Sequence, residues 1–173
     1  MTQEALRPAE PTPIGPQTFR IPVKIASLPF VFAGNIPYEP ASIHWKLSLP
    51  NPDPDRSPIV GADLLAQKPL SPYDGDIHIA YITSDAFKLE EKRYQNVRGL
   101  GSFLLDNFLT YADINKFKTT LTCVWTGRGL SPGQLLTWYT KRGFVGHFDF
   151  MVRTPQAPNK NAEIARILVS LNT

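Results

Sequence analysis

The stretch Asn96-Val97-Arg98-Gly99-Leu100-Gly101-Ser102-Phe103-Leu104-Leu105 decides how this chain is read. Gly99 and Gly101 carry no side chain, so the backbone there can turn tightly and come close to a ligand. Behind them, apolar residues recur at Leu100, Phe103, Leu104, Phe108, Tyr111 and Ala112. Asp106, Asn107, Thr110 and Asp113 lie opposite, a spacing that predicts a helix over 99–115. The first N–H groups of such a helix lack intrahelical acceptors and carry the positive end of its dipole. Loop and helix start together therefore suit a phosphate or pyrophosphate, with Arg98 and the Ser102 hydroxyl as added contacts. No Gly-Lys-Ser/Thr follows, which excludes a Walker loop. There is no third glycine, and Trp125-Thr126-Gly127 stands where a dinucleotide site needs an acid, which excludes NAD.

Working outward, Asp76 to Thr83 follows a Pro-Tyr-Asp-Gly turn and is apolar enough for a strand covered on both faces. Between it and the glycine loop, 85–95 is polar and irregular. Lys118 to Trp125, rich in Thr and Val, predicts another strand. Ser131-Pro132 is an N-cap followed by proline, opening a helix that runs to about Lys141 and stops at Gly143. Phe144 to Arg153 predicts a strand. Ser42 to Leu49 alternates Ile43, Trp45, Leu47 and Leu49 against His44, Lys46 and Ser48. With Ile59 to Ala66 it makes a long-looped hairpin. Pro22, Pro29, Pro37 and Pro40 break the region before it into short strands joined by turns. Residues 1–17 read as a flexible Pro-rich tail, leaving 18–173 as a single domain. Ala162 to Leu171 fits a helix through Ile164, Ile167, Leu168 and Leu171, and a strand through Ala165, Ile167, Val169 and Leu171.

Composition excludes more than it identifies. The net charge of +3 is small, and the densest basic run, Lys88 to Arg98, is interrupted by Glu90 and Glu91, which argues against nucleic acid. The single cysteine, Cys123, cannot form an intramolecular disulfide or a Cys-based zinc site and reads as core. His44, His78 and His147 are far apart, so no metal is suggested. Without an apolar span or a secretory pattern at the N-terminus, no membrane is implied and a cytoplasmic location is expected.

The glycine loop is followed by Trp138-Tyr139-Thr140-Lys141-Arg142-Gly143-Phe144, and the pair, in that order, resembles the GNAT superfamily of acetyl-CoA-dependent N-acetyltransferases. That family's loop has Gln or Arg, two variable residues, Gly, a variable residue, then Gly or Ala. Its second hallmark is Leu-Tyr-x-Lys-x-Gly-Phe. The resemblance covers 76–144. It implies an α+β, three-layer fold, with a mixed, mostly antiparallel sheet of about six to seven strands flanked by helices. It also implies that the C-terminal segment is the last strand.

The resemblance further implies roles. Asn96, Val97, Arg98, Gly99, Leu100, Gly101 and Ser102 would hold the acetyl-CoA pyrophosphate, and the backbone of Tyr81, Ile82 and Thr83 would pair with the pantetheine arm beside a splay between central strands. Tyr139 would be the general acid to the departing thiolate. For the base, Asp76 occupies the position of the family glutamate, and His78, on the same side of the strand, is the alternative. The expected reaction is direct transfer of acetyl from acetyl-CoA to a primary amine, of a small molecule or a protein, and a homodimer is compatible with it. The competing reading is a GNAT-fold module that binds acyl-CoA without turnover. A toxin acting on charged tRNA would want a more basic face than this chain has.

Three departures stand against the match. Asn96 replaces Gln or Arg, the approach at 85–95 is lengthened, and the proline-punctuated segment 22–40 cannot form the helices the family has between its first strands. Phe30, Phe32 and Tyr38 are candidates to line an acceptor pocket or the core in their place.

Overall fold

The computed structural model describes residues 17–36, 42–68, 75–84, 97–124, 129–159 and 163–170. Among these the chain is a mixed α/β structure: one eight-stranded, mostly antiparallel sheet and three helices. In chain order the elements are β1 (Gln17–Ile25), β2 (Leu28–Ile36), β3 (Ser42–Leu49), β4 (Ile59–Gln67), β5 (Ile77–Ser84), α1 (Leu100–Ile114), β6 (Thr119–Leu121), α2 (Pro132–Thr140), β7 (Val145–His147), β8 (Phe150–Arg153) and α3 (Glu163–Ser170). The spatial order is β1-β2-β3-β4-β5-β6-β8-β7. Among the described residues only β5 and β6 run parallel, with helix α1 between them in the chain.

The prolines fit a strand-rich start. Pro22 stands in β1, an edge strand, and Pro29 lies outside the part of β2 that pairs with β3, so neither removes a hydrogen bond from the middle of the ladder. Ala26 and Ser27 make the two-residue turn between β1 and β2 with φ of 49° and 66°. Alternation then sorts β3 and β4. Ile43, Trp45, Leu47, Ala62, Leu64 and Ala66 are buried on one face, while His44, Lys46, Asp63 and Leu65 are half-exposed on the other. Helix α1 lies across the buried face. Its Phe103 stacks edge-on against Phe32, and its Phe108 and Tyr111 against Trp45. Phe30 and Phe32 are core residues, 1% and 0% exposed; Tyr38 falls outside the described residues.

Four expectations need correction. The C-terminal segment is a helix, α3, not the last strand. Ala165 and Leu168, three apart, are fully buried against α1, while Ile167, which both patterns had turned inward, is 43% exposed. Phe144 to Arg153 is not one strand but the hairpin β7–β8, turning at Phe148 and Asp149. The sheet has eight strands because 17–36 folds into a full hairpin, so Gln17 belongs to β1 and not to a tail. Finally, β5 is not covered on both faces: Ile77 and Ile79 are buried, but Ala80, Tyr81, Thr83 and Ser84 are exposed. Among the described residues no helix is long and apolar enough to cross a membrane.

The far side of the molecule is locked by a buried ion pair. Arg153 of β8 donates two hydrogen bonds to Asp113 of α1, at 2.6 and 2.8 Å, and a third to the Arg142 carbonyl. Both side chains are almost fully buried, 5% and 3% exposed. A bidentate pair satisfied this completely fixes helix α1 against β8.

Candidate functional site

The exposed half of β5 has a geometric origin. The parallel ladder between β5 and β6 contains only the pairs Ile77–Thr119, His78–Thr120 and Ile79–Leu121. Beyond it the chain leaves β5: the Cys123 amide donates to the Phe148 carbonyl at 2.8 Å and the Thr122 hydroxyl to the Asp149 carbonyl, both toward the β7–β8 hairpin. On its other side β5 stays paired to β4 through Tyr81, Ile82, Thr83 and Ser84. A strand in the middle of an eight-stranded sheet thus offers one unpaired edge, among the described residues, from Ala80 to Ser84. Register shifts at that point. Leu65 stands opposite Tyr81 and Ala66 opposite Ile79, so Ala80 is the extra residue of a β-bulge.

The start of α1 stands over the open end. A Cβ added at Gly101 would lie 3.4 Å from the Ser84 Cβ, and one at Gly61 of β4 would meet the Leu100 side chain. Gly99 is the N-cap at φ 84°, a left-handed conformation that favours glycine, and no side chain caps this helix. The first intrahelical bond runs from the Phe103 amide to the Gly99 carbonyl at 2.8 Å. The amides of Leu100, Gly101 and Ser102 precede it, so they have no i−4 acceptor inside the helix. No acidic residue stands in the first turn, and Arg98 is exposed beside it, whereas Val97 is buried. The Ser102 hydroxyl accepts from the Trp138 indole at 3.1 Å, leaving its own proton to donate elsewhere. Asn96 lies outside the described residues, as does all of 85–95.

Helix α2 brings the second motif to the same place. Ser131 and Gln134 form a reciprocal capping box with Pro132 at the first turn, and the helix stops at Gly143 with φ 86°. Trp138 bonds Ser102, and Arg142 pairs with Asp106 at 2.6 Å, so α2 is tied to α1 along its length. Tyr139 is 6% exposed, its ring against Trp138 and Phe144. Burial pushes its phenol well above the ordinary value of 10.0, the nearby Cys123 thiol adds to the rise, and Arg142 opposes it.

The two candidate bases lie elsewhere on β5. The Asp76 carboxylate accepts the Lys118 amide at 2.7 Å while its own amide donates to the Lys118 carbonyl, so it fastens the start of β6 to the start of β5. That is the opposite end of the strand from the parting, six residues or roughly 20 Å from Ile82. His78 is closer. It faces Thr120 across the parallel ladder, Nδ1 to Oγ1 3.0 Å, and burial lowers its pKa below the ordinary 6.5. Among the described residues no cluster of His, Cys, Asp and Glu could hold a metal ion.

A groove of about 400 Å³ lies away from this site. It runs between α1, the end of α2 and the segment after β8, where Asp106, Asp113, Arg142 and Arg153 already neutralise one another. Comparison of the chain with protein-family models, curated proteins and solved structures returns no match.

Proposed function

We propose that this chain is an acetyl-CoA-dependent N-acetyltransferase with a GNAT-like arrangement. One observation carries the reading: the parallel pair β5–β6 opens after Ile79 and Leu121 directly beside the uncapped N-terminus of α1. A diphosphate needs the free amides and positive dipole end of a helix start, and a pantetheine arm, with its two amides, needs an unpaired strand edge. The two features stand side by side here. The lone parallel junction bridged by α1 and the place of Tyr139 support the same fold relation. The β1–β2 hairpin, standing where the family has helices, counts against it.

In this reading the amides of Leu100, Gly101 and Ser102 bind the pyrophosphate, and Arg98 adds charge from solvent. The open edge of Tyr81, Ile82 and Thr83 orients the pantetheine. A backbone N–H of the unpaired edge beside the bulge at Ala80 would stabilise the oxyanion of the tetrahedral adduct. Tyr139, held neutral by burial, donates its proton to the leaving thiolate and regains one from the acceptor nitrogen or solvent. A competing reading, a module that binds acyl-CoA without turnover, is favoured by the structural engagement of Asp76.

The test is isothermal titration with acetyl-CoA followed by thiol release over a panel of primary amines. Saturable binding with amine-dependent thiol release is expected. Binding without release for any amine supports the module, and no binding removes both readings.

A further inference from the structure

Ser102 is the exception among the serines and threonines of α1 and α2. Thr110, Thr137 and Thr140 each turn their proton back to the carbonyl four residues before, at 2.9, 2.8 and 2.9 Å. The residue four before Ser102 is Arg98, which precedes the helix, and the Gly99 carbonyl already accepts from the Phe103 amide at 2.8 Å. Ser102 instead accepts a hydrogen bond, from the Trp138 indole at 3.1 Å. An indole N–H only donates, so this bond fixes the serine oxygen as the acceptor. The hydroxyl proton is left uncommitted among the described residues. Ser102 is the third residue of α1 and half-exposed. Helix side chains lean toward the N-terminus, so its hydroxyl stands beside the first amides of the helix.

The indole is itself held in place. The Arg142 guanidinium lies over its ring, 4.5 Å from the centroid, and is anchored on the Asp106 carboxylate of α1 by two hydrogen bonds. Arg142 also donates to the Trp138 carbonyl at 3.1 Å, and the Tyr139 ring meets the indole edge-on at 4.9 Å. The hallmark motif that this stretch resembles has leucine at the place of Trp138. Leucine has no donor, so the contact with Ser102 belongs to this chain.

We infer that Trp138 is a positioning residue for the acyl donor: it holds the Ser102 hydroxyl so that its proton goes to a pyrophosphate oxygen at the start of α1. This rests on the acetyl-CoA reading and extends the diphosphate site to a residue outside the glycine loop. A phosphate oxygen only accepts, so a hydroxyl whose own oxygen is already occupied by a donor meets it proton first. Accepting the indole bond also polarises the O–H and strengthens what it donates. Without the indole the hydroxyl is free to rotate and to exchange both bonds with water.

The test titrates the full chain with acetyl-CoA by calorimetry. Ser102→Ala removes one charge-assisted hydrogen bond and should weaken binding about 10-fold or more. Trp138→Phe keeps an aromatic ring for Arg142 and Tyr139 but has no N–H, and should weaken binding about 3- to 10-fold. In the Ser102→Ala background the same change should add less than about twofold, because its effect runs through that hydroxyl; a general disturbance of α2 would add in full. Nitrogen-15 spectra give a reading that a structural role would not move. The Trp138 indole signal, identified by its displacement in Ser102→Ala, should shift when acetyl-CoA is added. That of Trp45, bonded to the Asn35 carbonyl in the core, should stay in place. Wild-type affinity in a folded Trp138→Phe, full additivity with Ser102→Ala, or an unmoved Trp138 signal overturns the inference and leaves the acetyl-CoA reading standing. Should Trp138→Phe fail to fold, Ser102→Ala and the indole signal carry the test, and unchanged affinity in Ser102→Ala overturns it. Wild type that does not bind acetyl-CoA defeats the reading and the inference together.

Discussion

Substitution of Gly101 separates the proposed pyrophosphate grip from simple packing. Gly101 is the second residue of α1, and a Cβ there would stand 3.4 Å from the Ser84 Cβ, an ordinary contact. Alanine therefore fits the fold. Its better helix propensity should offset any loss, leaving stability unchanged or raised by about 0.5 kcal/mol, which is about 1–2 °C in Tm. Valine at the same place reaches further into the gap between the helix start and the end of β5. That gap is where phosphate oxygens would meet the amides of Leu100, Gly101 and Ser102. Each charge-assisted hydrogen bond there contributes about 1.5–3 kcal/mol. Losing two should weaken acetyl-CoA binding by roughly 10²- to 10³-fold or more. Titration calorimetry gives the affinity, and thermal unfolding monitored by circular dichroism gives the stability. A folded Gly101→Val that binds acetyl-CoA as wild type does would refute the placement of the pyrophosphate.

Other parts of the structure make independent predictions. Tyr139→Phe should cut the thiol-release rate about 10- to 10³-fold with acetyl-CoA affinity unchanged. Absorbance titration should find Tyr139 still protonated above the pH where exposed tyrosines ionise. Because its pKa is raised on folding, its stabilising effect is complete below pH 10 and fades as pH climbs above that. Asp113→Ala leaves the Arg153 guanidinium buried without its partner and should cost about 3–5 kcal/mol in denaturant unfolding. By contrast, Asp53→Ala breaks the exposed pair with Arg56 and should cost under about 1 kcal/mol. His78 works in the acid direction. Its pKa is lowered by folding, so its contribution is present above pH 6.5 and lost as pH falls below it. His78→Gln should flatten the decline of Tm between about pH 7 and 5.

Local signals carried the fold only where burial is periodic. Strand β3 was legible because Ile43, Trp45, Leu47 and Leu49 alternate with polar residues, α1 because of its apolar stripe, and α2 because of its Ser131-Pro132 cap and the glycine that ends it. The spacing of Ile164, Ile167, Leu168 and Leu171 also allowed helix α3, but family analogy pointed to a strand and misled. The start of α1 and the end of α2 are joined through the Trp138–Ser102 bond. Sequence yielded the β3–β4 hairpin but not which more distant strands are neighbours. The early parting of β6 from β5 depends on hydrogen bonds of Thr122 and Cys123 to residues more than twenty positions away. Conversely, Asp76 looked available as a base because its bond to the Lys118 amide is not visible along the chain.

The central claim is that the opening between β5 and β6, under the start of α1, receives acetyl-CoA. Titration of the purified chain with acetyl-CoA tests it most directly. Binding in the micromolar range or tighter at one site per chain, abolished by Gly101→Val and retained by Asp76→Asn, is the predicted result. No heat of binding at high micromolar acetyl-CoA, or equal binding by the Gly101→Val protein, would contradict it.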